Sequence, residues 1–479
     1  MGAGLGTRAT APEFPVDLSW VNVSRAPRLA DLRGRVALLW FWSYDAVNCW
    51  NVVPELRQLQ EKYDDGLSVL GVHVPKYPHQ CDDEPLLRAV NRLQLRHPVA
   101  NDARHRLWRA YDVGAWPTAV LVDAEGCIAA SLAGEGRRAE LDVRIAELLE
   151  EAALRDLRVY EPTLPASRPE PRGTLAFPTK LLADDERLYV ADTGHHRVLE
   201  CDYDGRVLRR FGSGDAGGED GEAARACFDR PHGLARHRGA LYVADAGNHA
   251  VRRIDLSDGR IDTVLGTGRA GRSRPQAADA ARTSLNTPLD LAVAGDALFV
   301  AVAGQHQIWR LDLATRRVSV HAGSGALGLV DGVAADACFA QPSALGVFGG
   351  QLVVVDAAAS ALRAVDLDDG RVETLIGRGL YEFGDAIGAR DEARLQNPLG
   401  LATDAHGIVY VADSYNDAIK LLNRRSGEVR ALRLSYRLHE PQGLALGGER
   451  LWIANTNLHE IVCVDLDDGR VRRVPIVEA

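Results

Sequence analysis

The sequence has no two cysteines close enough to form a short redox or metal-binding motif. Its seven cysteines stand at positions 49, 81, 127, 201, 227, 338 and 463, so the closest pair is 26 residues apart. A CxxC motif is therefore missing, and a zinc ribbon or zinc knuckle is excluded.

Long apolar runs are missing as well. No run exceeds the seven residues VALLWFW at 36–42, far short of the roughly 20 residues that span a bilayer. The N-terminus MGAGLGTRATAPEFPVD has no apolar signal-peptide centre, and Gly6 replaces the Ser or Thr of a myristoylation motif. We therefore expect a cytoplasmic protein with no membrane partner.

Lysine is scarce, with residues only at positions 62, 76, 180 and 420, and acidic side chains outnumber basic ones by 66 to 56. The resulting net charge of −10 argues against a nucleic-acid partner. Hydrophobic residues at 46% and charged residues at 25% are typical of a folded protein. The length of 479 residues predicts two domains, or one domain beside a repeat array.

Residues 1–160 alternate strand-like and helical segments, which predicts an α/β domain with a mixed sheet. The run at 36–42 is typical of a strand buried on both faces. The segment PTAVLVDAEGCIAASLAGEG predicts a hairpin that turns at Glu125-Gly126, and a long amphipathic helix follows it. Residues 161–176 contain four prolines and are interpreted as a stiff linker.

From residue 177 to residue 479 the chain repeats itself. Each repeat starts at a proline, then carries a strand such as RLYVADTG or ALYVADAG, a third strand that mostly ends in Asp, and a fourth strand. The six prolines that begin the repeats are Pro178, Pro231, Pro288, Pro342, Pro398 and Pro441. Four short strands in each of six units predict a six-bladed β-propeller, in which ring closure removes exposed sheet edges.

The repeats resemble the NHL repeat, whose units carry a YVAD-like strand followed by an Asn-His-x-Val segment. That segment is clearest at Gly247-Asn248-His249-Ala250-Val251, and it weakens to Gln305-His306 in blade three and Ala359-Ser360 in blade four. The resemblance covers about 300 residues. It implies an NHL-type propeller that binds a protein or peptide on one of its faces.

The first domain resembles thioredoxin-like proteins of the TlpA/peroxiredoxin-related branch. The matching residues are the strand that leads into Phe41-Trp42, the helix that starts near Ala46, and the segment Trp116-Pro117-Thr118. The resemblance implies that Pro117 is the cis-proline that faces the active site, with Trp116 beside it.

The redox motif of those relatives is degenerate in this chain. Relatives place a cysteine-rich turn after the strand, whereas this sequence reads DAVNC, so Asp45 and Ala46 stand at the two lost cysteine positions. Thiol–disulfide exchange needs an attacking thiolate at the helix start and a second thiol to resolve the mixed disulfide. Ala46 cannot attack, and Cys49 lies about a turn further along, where burial would raise its pKa.

Two interpretations of Cys49 remain open. Cys49 is either a vestigial, buried residue, or a lone thiol that forms mixed disulfides or pairs with Cys81 in the loop KYPHQCDDEP. Asp45 is interpreted as an N-cap that accepts hydrogen bonds from first-turn amides, with a direct role as an acid or anion as the alternative.

The sequence offers little for a metal or another cofactor, and we expect neither. Some NHL-type propellers are lyases that hold zinc through histidines around the central channel. In this sequence only one of the six prolines is directly followed by a histidine. The residues there are Thr179, His232, Leu289, Ser343, Leu399 and Gln442. A recurring aspartate ends the second strand in four repeats, at Asp192, Asp245, Asp356 and Asp413, and Val302 and Asn455 fill this position in the other two. That recurrence favours a structural role in binding turn amides over calcium binding.

The sequence thus predicts an α/β thioredoxin-like domain followed by an all-β six-bladed NHL-type propeller. It favours a non-enzymatic or redox-impaired interaction protein. The alternative is a thiol-disulfide oxidoreductase that uses Cys49 with Cys81 or with a partner's thiol, and a metal-dependent or small-molecule propeller enzyme is the third possibility. The partner's identity, the propeller face used and the oligomeric state stay open.

Overall fold

The apolar run at 36–42 forms a central strand in the first of two structural units. The computed structural model describes residues 8–160, 173–184 and 186–478. The chain divides into one unit over Met1–Pro171 and a second over Arg172–Ala479. Within the described residues, no helix combines the length and the apolar character needed to cross a membrane.

The first unit is built on a six-stranded mixed sheet in the order β1-β4-β3-β2-β5-β6. The strands β4, β3 and β2 run parallel, whereas β1, β5 and β6 each pair antiparallel. The strands are β1 Ser19–Val21, β2 Val36–Trp42, β3 Leu67–His73, β4 Val99–Asn101, β5 Thr118–Val122 and β6 Ile128–Ala133. All residues of β2 and β3 are buried, as expected for parallel strands covered on both faces.

Five helices connect or cover these strands. They are α1 Val47–Trp50, α2 Val53–Lys62, α3 Asp83–Arg92, α4 Arg106–Ala110 and α5 Arg138–Leu154. Two 3-10 turns lie at Leu29–Leu32 and Pro78–Cys81. The hairpin β5–β6 turns at Glu125-Gly126, where Gly126 has a φ of 79°, and α5 is the predicted amphipathic helix. The α/β thioredoxin-like architecture is confirmed.

The second unit is a propeller of six antiparallel sheets, one for each repeat. Blades one and two contain β7 Leu181–Ala183, β8 Leu188–Asp192, β9 Arg197–Cys201 and β10 Val207–Phe211, then β11 Pro231–His237, β12 Ala240–Asp245, β13 Ala250–Asp255 and β14 Ile261–Gly266. Blades three and four contain β15 Ala278–Asp279, β16 Pro288–Ala294, β17 Ala297–Val302, β18 Gln307–Asp312 and β19 Arg317–Ala322, then β20 Pro342–Phe348, β21 Gln351–Asp356, β22 Ala361–Asp366 and β23 Val372–Ile376. Blades five and six contain β24 Gly388–Ala389, β25 Gly400–Thr403, β26 Ile408–Asp413, β27 Ala418–Asn423 and β28 Glu428–Ala431, then β29 Pro441–Gly447, β30 Arg450–Asn455, β31 Glu460–Asp465 and β32 Val471–Val474.

The six-bladed architecture is confirmed, with one addition. The two-residue strands β15 and β24 each add a fifth strand to blades three and five, on the outer edge. Both strands come from the long loops between blades. Two residues are too short a stretch for periodicity to reveal.

Part of the segment predicted as a linker lies within the described residues. Residues 161–172 lie outside the described residues, but residues 173–176 belong to the propeller unit. Leu175 and Ala176 are buried, and the Ala176 amide donates to the Asp192 carboxylate at 2.8 Å. The composition of the segment could not reveal this hydrogen bond, because its acceptor lies at a strand end 16 residues later in the chain.

Candidate functional site

The turn after β2 holds Asp45 and Ala46, the residues that the sequence analysis assigned to the lost cysteine positions. Ala46 is the N-cap of α1, so its methyl group occupies the helix start, where an attacking thiol would gain from the helix dipole. The Cys49 amide donates to the Ala46 carbonyl at 2.9 Å. The only thiol in the turn therefore lies within the helix and not at its first residue.

Cys49 is completely buried. Burial raises the pKa of its thiol far above the ordinary value, and the carboxylates of Asp45 and Glu135 add to the rise. A thiol with a raised pKa is almost entirely protonated at neutral pH and is a poor nucleophile. The expectation that burial would raise this pKa is confirmed.

Asp45 stands one residue before the N-cap, so its interpretation as the N-cap is wrong. Its carboxylate accepts hydrogen bonds from Ser43 Oγ and from Gln80 Nε2, the latter at 2.8 Å. The side-chain oxygen Oε1 of Gln80 accepts from the backbone amides of Lys76 and Tyr77. The buried Gln80 side chain thus ties the turn after β2 to the loop that precedes α3.

Cys81 follows Gln80 in the same 3-10 turn, and unlike Cys49 it is exposed. Its Sγ approaches the Tyr77 carbonyl at 3.9 Å. Partial burial and Asp82 raise the pKa of this thiol as well. All seven cysteines are free thiols, so Cys49 and Cys81 are unpaired here.

The Trp116–Pro117 peptide bond is cis, which is the geometry that the thioredoxin-like resemblance implies for it. Trp116 packs against Trp108 with ring centroids 5.2 Å apart. Both rings lie against the core that includes Phe41 and Tyr111. Trp116 therefore packs against this core beside Pro117, where the thioredoxin-like resemblance places it.

A buried histidine that the sequence did not single out lies behind the turn. His73 stacks on Tyr44 with ring centroids 5.0 Å apart, and its Nδ1 lies 3.3 Å from Asn101 Oδ1. Asn101 Nδ2 in turn donates to the Cys81 carbonyl at 2.9 Å. Burial lowers the pKa of His73 to about 4, so the ring is neutral at physiological pH.

In the propeller, the recurring strand-end aspartate has the structural role that the sequence predicts. Each carboxylate, and the amide oxygen of Asn455 in blade six, accepts a hydrogen bond from the backbone amide two residues before the proline of its own blade. The donor and acceptor pairs are Ala176 and Asp192, Asp229 and Asp245, Ala340 and Asp356, Gln396 and Asp413, and His439 and Asn455. Val302 occupies this position in blade three and cannot accept.

The residue at the histidine position of the Asn-His-x-Val segment links each blade to the next one. This residue has a positive φ in every blade, and its side chain accepts a hydrogen bond from the backbone amide just before the next blade's proline. The acceptor and donor pairs are His196 and Arg230, His249 and Thr287, His306 and Gln341, Ser360 and Asn397, Asp417 and Glu440, and His459 and Phe177. The last pair joins blade six to blade one and so closes the ring.

The C-terminal tail adds a second closing contact. The Val477 amide donates to the Gly205 carbonyl at 3.0 Å, and the Val207 amide donates to the Val477 carbonyl at 2.9 Å. Glu478 also pairs with Arg197 at 2.6 Å. Blade one is thus held from both sides.

The central channel contains a buried ion pair that the sequence analysis missed. Lys180 Nζ lies 3.3 Å from Asp290 Oδ2 and donates to the carbonyls of Ser343 and Leu399 at 2.9 and 2.7 Å. These acceptors belong to blades three, four and five and match the three donors of an ammonium group. Desolvation lowers the pKa of Lys180 and raises that of Asp290.

A signal for this pair is present in the repeats. Lys180 and Asp290 both stand two residues after the proline of their blade, where the other four blades have Gly or Ala. Gly233 shows why small residues are used there, since a Cβ on it would lie 2.4 Å from Asp290 Cα. This position otherwise takes only small residues. The opposite charges at Lys180 and Asp290 therefore predict that these two side chains contact each other across the channel.

No histidine cluster accompanies this pair. Among the residues that the structure describes, no three His, Cys, Asp or Glu side chains come together as a metal site. The arrangement of the channel is that of a closed, internally satisfied polar core.

Comparison with known proteins divides the chain in the same way. Residues 34–128 match the thioredoxin-like family, and residues 228–254 match the NHL repeat. NHL repeat-containing protein 2 of Homo sapiens is 33% identical over 525 aligned positions, which cover 98% of this chain and 72% of the human protein. Protein SUPPRESSOR OF QUENCHING 1, chloroplastic, of Arabidopsis thaliana is 34% identical over 511 positions, covering 98% of this chain and 48% of the plant protein.

A shorter relative matches the first unit alone. Thiol-disulfide oxidoreductase YkuV of Bacillus subtilis (strain 168) is 25% identical over 146 positions, covering 30% of this chain and 97% of the bacterial protein. The human and plant relatives therefore share both units with this chain, whereas the named oxidoreductase shares only the thioredoxin-like one.

Proposed function

Because this chain belongs to the family of NHL repeat-containing protein 2, we propose that it is a protein-interaction scaffold with a redox-impaired thioredoxin-like unit. In this proposal the propeller binds a protein or peptide on one of its faces. The observation that carries the proposal is the turn after β2, where Ala46 is the N-cap and Cys49 is completely buried.

The chemistry of disulfide exchange explains why this turn matters. An attacking thiolate must reach the substrate disulfide, form a mixed disulfide and release the first substrate sulfur as a thiolate. A second thiol then attacks the mixed disulfide, and the enzyme is left oxidised. Ala46 removes the first step, and Cys49 has neither the exposure nor the lowered pKa to replace it.

The propeller supports the interaction half of the proposal. Its central channel is crossed by the Lys180–Asp290 pair, and the ammonium already contacts three acceptors. A ligand would have to break a buried ion pair to enter, which costs several kcal/mol, about 3–5 when one partner is left alone. The loop faces of the blades are the surfaces that remain for binding.

Insulin reduction tests the loss of catalysis. We expect the wild type to reduce insulin at least about 100-fold more slowly than an ordinary thioredoxin, equivalent to about 2.7 kcal/mol in the activation barrier. The variant Ala46→Cys places a thiol at the helix start, and we expect it to form a disulfide with Cys49 and to regain activity. Ala46→Ser is the matched control, because it adds a polar atom without a thiol. Wild-type activity at the thioredoxin level would contradict the proposal.

A thiol-disulfide oxidoreductase that uses Cys81 is the second candidate. The observation that favours it is the hydrogen bond from Gln80 to Asp45, which holds the loop of the exposed Cys81 against the turn after β2. In this alternative the Cys81 thiolate attacks a substrate disulfide, and Cys49 or a partner's thiol resolves the mixed disulfide. The raised pKa of both thiols argues against it.

Trapping of mixed disulfides in cells separates the two candidates. Cells are quenched in acid, and adducts of the wild type, Cys49→Ser and Cys81→Ser are identified by mass spectrometry. A scaffold is expected to capture the same partner proteins non-covalently in all three forms, with no adduct that depends on either cysteine. An adduct that disappears in Cys81→Ser and accumulates in Cys49→Ser would instead establish the oxidoreductase.

A further inference from the structure

Three blades share a buried cation that is held between two carboxylates. The cation lies seven residues after the strand-end aspartate, and its second carboxylate comes from the loop that precedes the blade. The triads are Asp245, Arg252 and Asp220 in blade two, Asp356, Arg363 and Asp331 in blade four, and Asp413, Lys420 and Asp385 in blade five. In each of these blades the loop carboxylate is therefore paired with a cation of the blade itself.

Blade three replaces every member of this triad. Val302 stands at the strand end, and the buried Trp309 stands seven residues later in place of the cation. The loop position is eight residues after the glycine that opens each of these loops, and in blade three it carries Arg274. The apolar pair removes the need for a loop carboxylate, and the loop presents a positive charge instead.

Arg274 is one of four arginines in this segment, residues 267–287, which we name the arginine loop. The others are Arg269, Arg272 and Arg282, and the only acidic residue is Asp279, so the net charge is +3. All four arginines are exposed. Within the described parts of the chain none of the four side chains forms an ion pair or hydrogen bond, and Asp279 instead caps a turn by accepting from the Ala281 amide.

The arginine loop is held in place although its arginines have no ion pairs or hydrogen bonds. Within the loop, Ser273 Oγ lies 2.9 Å from Ser284 Oγ and the Gly271 amide donates to the Leu285 carbonyl at 3.2 Å. Two contacts join this part of the loop to blade three: Gln305 Nε2 donates to the Ser273 carbonyl at 2.7 Å, and the Val320 amide donates to the Pro275 carbonyl at 3.0 Å. A loop held in place in this way loses less conformational entropy when a ligand binds.

The loops on either side carry the opposite charge. Residues 212–230 contain five carboxylates and two arginines, and residues 323–341 contain two carboxylates and no basic residue. In an antiparallel four-stranded blade, such a loop begins and ends beside the turns between second and third strands. The middle of the arginine loop runs along the outer edge of blade three to the opposite end, where Asp279 pairs with Arg317 of β19 and the Ala280 amide donates to the Arg316 carbonyl. Arg269, Arg272 and Arg274 precede this crossing, whereas Arg282 follows it. The positive surface formed by the first three arginines is therefore short, and the loops on both sides carry net negative charge.

We propose that the arginine loop binds a short acidic segment of a partner protein. This inference rests on the proposed scaffold function and adds the surface and the chemistry of its partner. Guanidinium groups bind carboxylates through paired, charge-assisted hydrogen bonds, and the three groups of Arg269, Arg272 and Arg274 match a segment with several Asp or Glu residues. A long nucleic acid fits less well, because its backbone would run onto the acidic loops.

Fluorescence anisotropy with a labelled octaglutamate peptide tests this on the full chain. The loop variant replaces the three arginines that precede the crossing, R269Q/R272Q/R274Q. The matched control is R371Q/R425Q/R470Q, which removes the same charge from exposed turns between the third and fourth strands of blades four, five and six, at the opposite end of the blades. We expect the loop variant to bind at least tenfold more weakly at 50 mM NaCl and the control to stay within twofold of the wild type.

The single variant R272Q protects the test against misfolding of the triple variant, and we expect it to weaken binding about threefold. Equal losses in the loop variant and the control would overturn the proposal, as would a wild type that does not bind the peptide. Tighter binding of an octauridylate through the same arginines would overturn it in favour of nucleic acid. Dimerisation that is lost in the loop variant would overturn it in favour of a second copy of the chain.

Partner capture distinguishes this inference from the scaffold function beneath it. If the loop variant captures the same partner proteins as the wild type, the arginine loop is not the docking surface and the scaffold function stands. If the wild type binds octaglutamate but captures no protein, the loop assignment is supported and the scaffold function fails.

Discussion

The thioredoxin-like unit and the propeller depend on their distinctive residues in opposite ways. In the first unit, a few residues in one turn determine whether disulfide exchange is possible, and Asp45 and Ala46 alter that turn while the sheet around it is retained. In the propeller, the distinctive residues recur in nearly every blade and hold the ring together. The YVAD aspartates and the His459-type acceptors bind backbone amides.

This difference shows where function should be sought in each kind of fold. In a single-copy domain, the residues that depart from the family's motif indicate where the chemistry should be tested. In a repeat array, the residues that follow the motif are structural, and a departure from it frees side chains for binding. Blade three, with Val302, Trp309 and Arg274, is such a departure.

Removal of residues 441–479 should have the largest effect on this comparison, because it opens the ring. It deletes all of blade six, including the His459 acceptor for Phe177 and the tail that binds Gly205. The exposed sheet edges and apolar blade faces should make the product aggregate. The measurement is the soluble fraction and size-exclusion profile, and a monomer with unchanged thermal unfolding would show that the ring does not need closure.

A smaller but still large effect is expected from Asp356→Ala in blade four. The variant leaves the buried Arg363 without its buried partner and the Ala340 amide without its acceptor, which should cost about 3–5 kcal/mol of unfolding free energy. Asp331→Ala is the control, since Asp331 pairs with the same arginine but is half exposed, and it should cost about 1 kcal/mol. Equal losses in urea denaturation would contradict the structural role of the strand-end aspartate.

The histidines between blades predict an acid-sensitive stability. Burial lowers the pKa of His249 and of His306 to about 4, below the unfolded value of about 6.5. The unfolded state therefore binds more protons between these values, so stability is present above pH 6.5 and is lost as pH falls towards 4. The loss should reach about 2 kcal/mol for each histidine at pH 5.

Serine substitutions isolate this contribution. Blade four already uses Ser360 at the equivalent position, so His249→Ser and His306→Ser keep an acceptor that does not titrate in this range. The difference in unfolding free energy between wild type and variant should shrink as the pH falls from 7 to 5. A difference that is constant with pH would rule out the neutral imidazole as the acceptor.

The mildest test changes no residue and returns to the first unit. Brief alkylation of the native protein with iodoacetamide, followed by peptide mass spectrometry, should label the exposed Cys81 and leave the buried Cys49 unmodified. Cys201, which is also buried, serves as the internal control. Labelling of Cys49 before Cys81 would show that the turn opens and exposes Cys49. That result would weaken the contrast between the thioredoxin-like unit and the propeller.

Much of the fold follows from local patterns in the sequence. The blade count comes from the six prolines, and the buried strand at 36–42 and the turn at Glu125-Gly126 come from apolar runs and turn residues. These features depend on residues close together in the chain, where period and composition act directly. The prediction that Ala46 stands at a lost cysteine position likewise needs only the motif.

The partners of the side chains were decided by the tertiary structure alone. Asp45 binds Gln80, 35 positions away, Lys180 reaches Leu399 across the channel, and His459 accepts from Phe177 at the far end of the repeat array. Hydrogen bonds and ion pairs depend on distances of about 3 Å, and separation along the chain does not determine such distances. The sequence by itself therefore determined the two architectures and the missing nucleophile, whereas packing of distant segments decided the burial of Cys49, the closure of the ring and the release of the arginines in blade three.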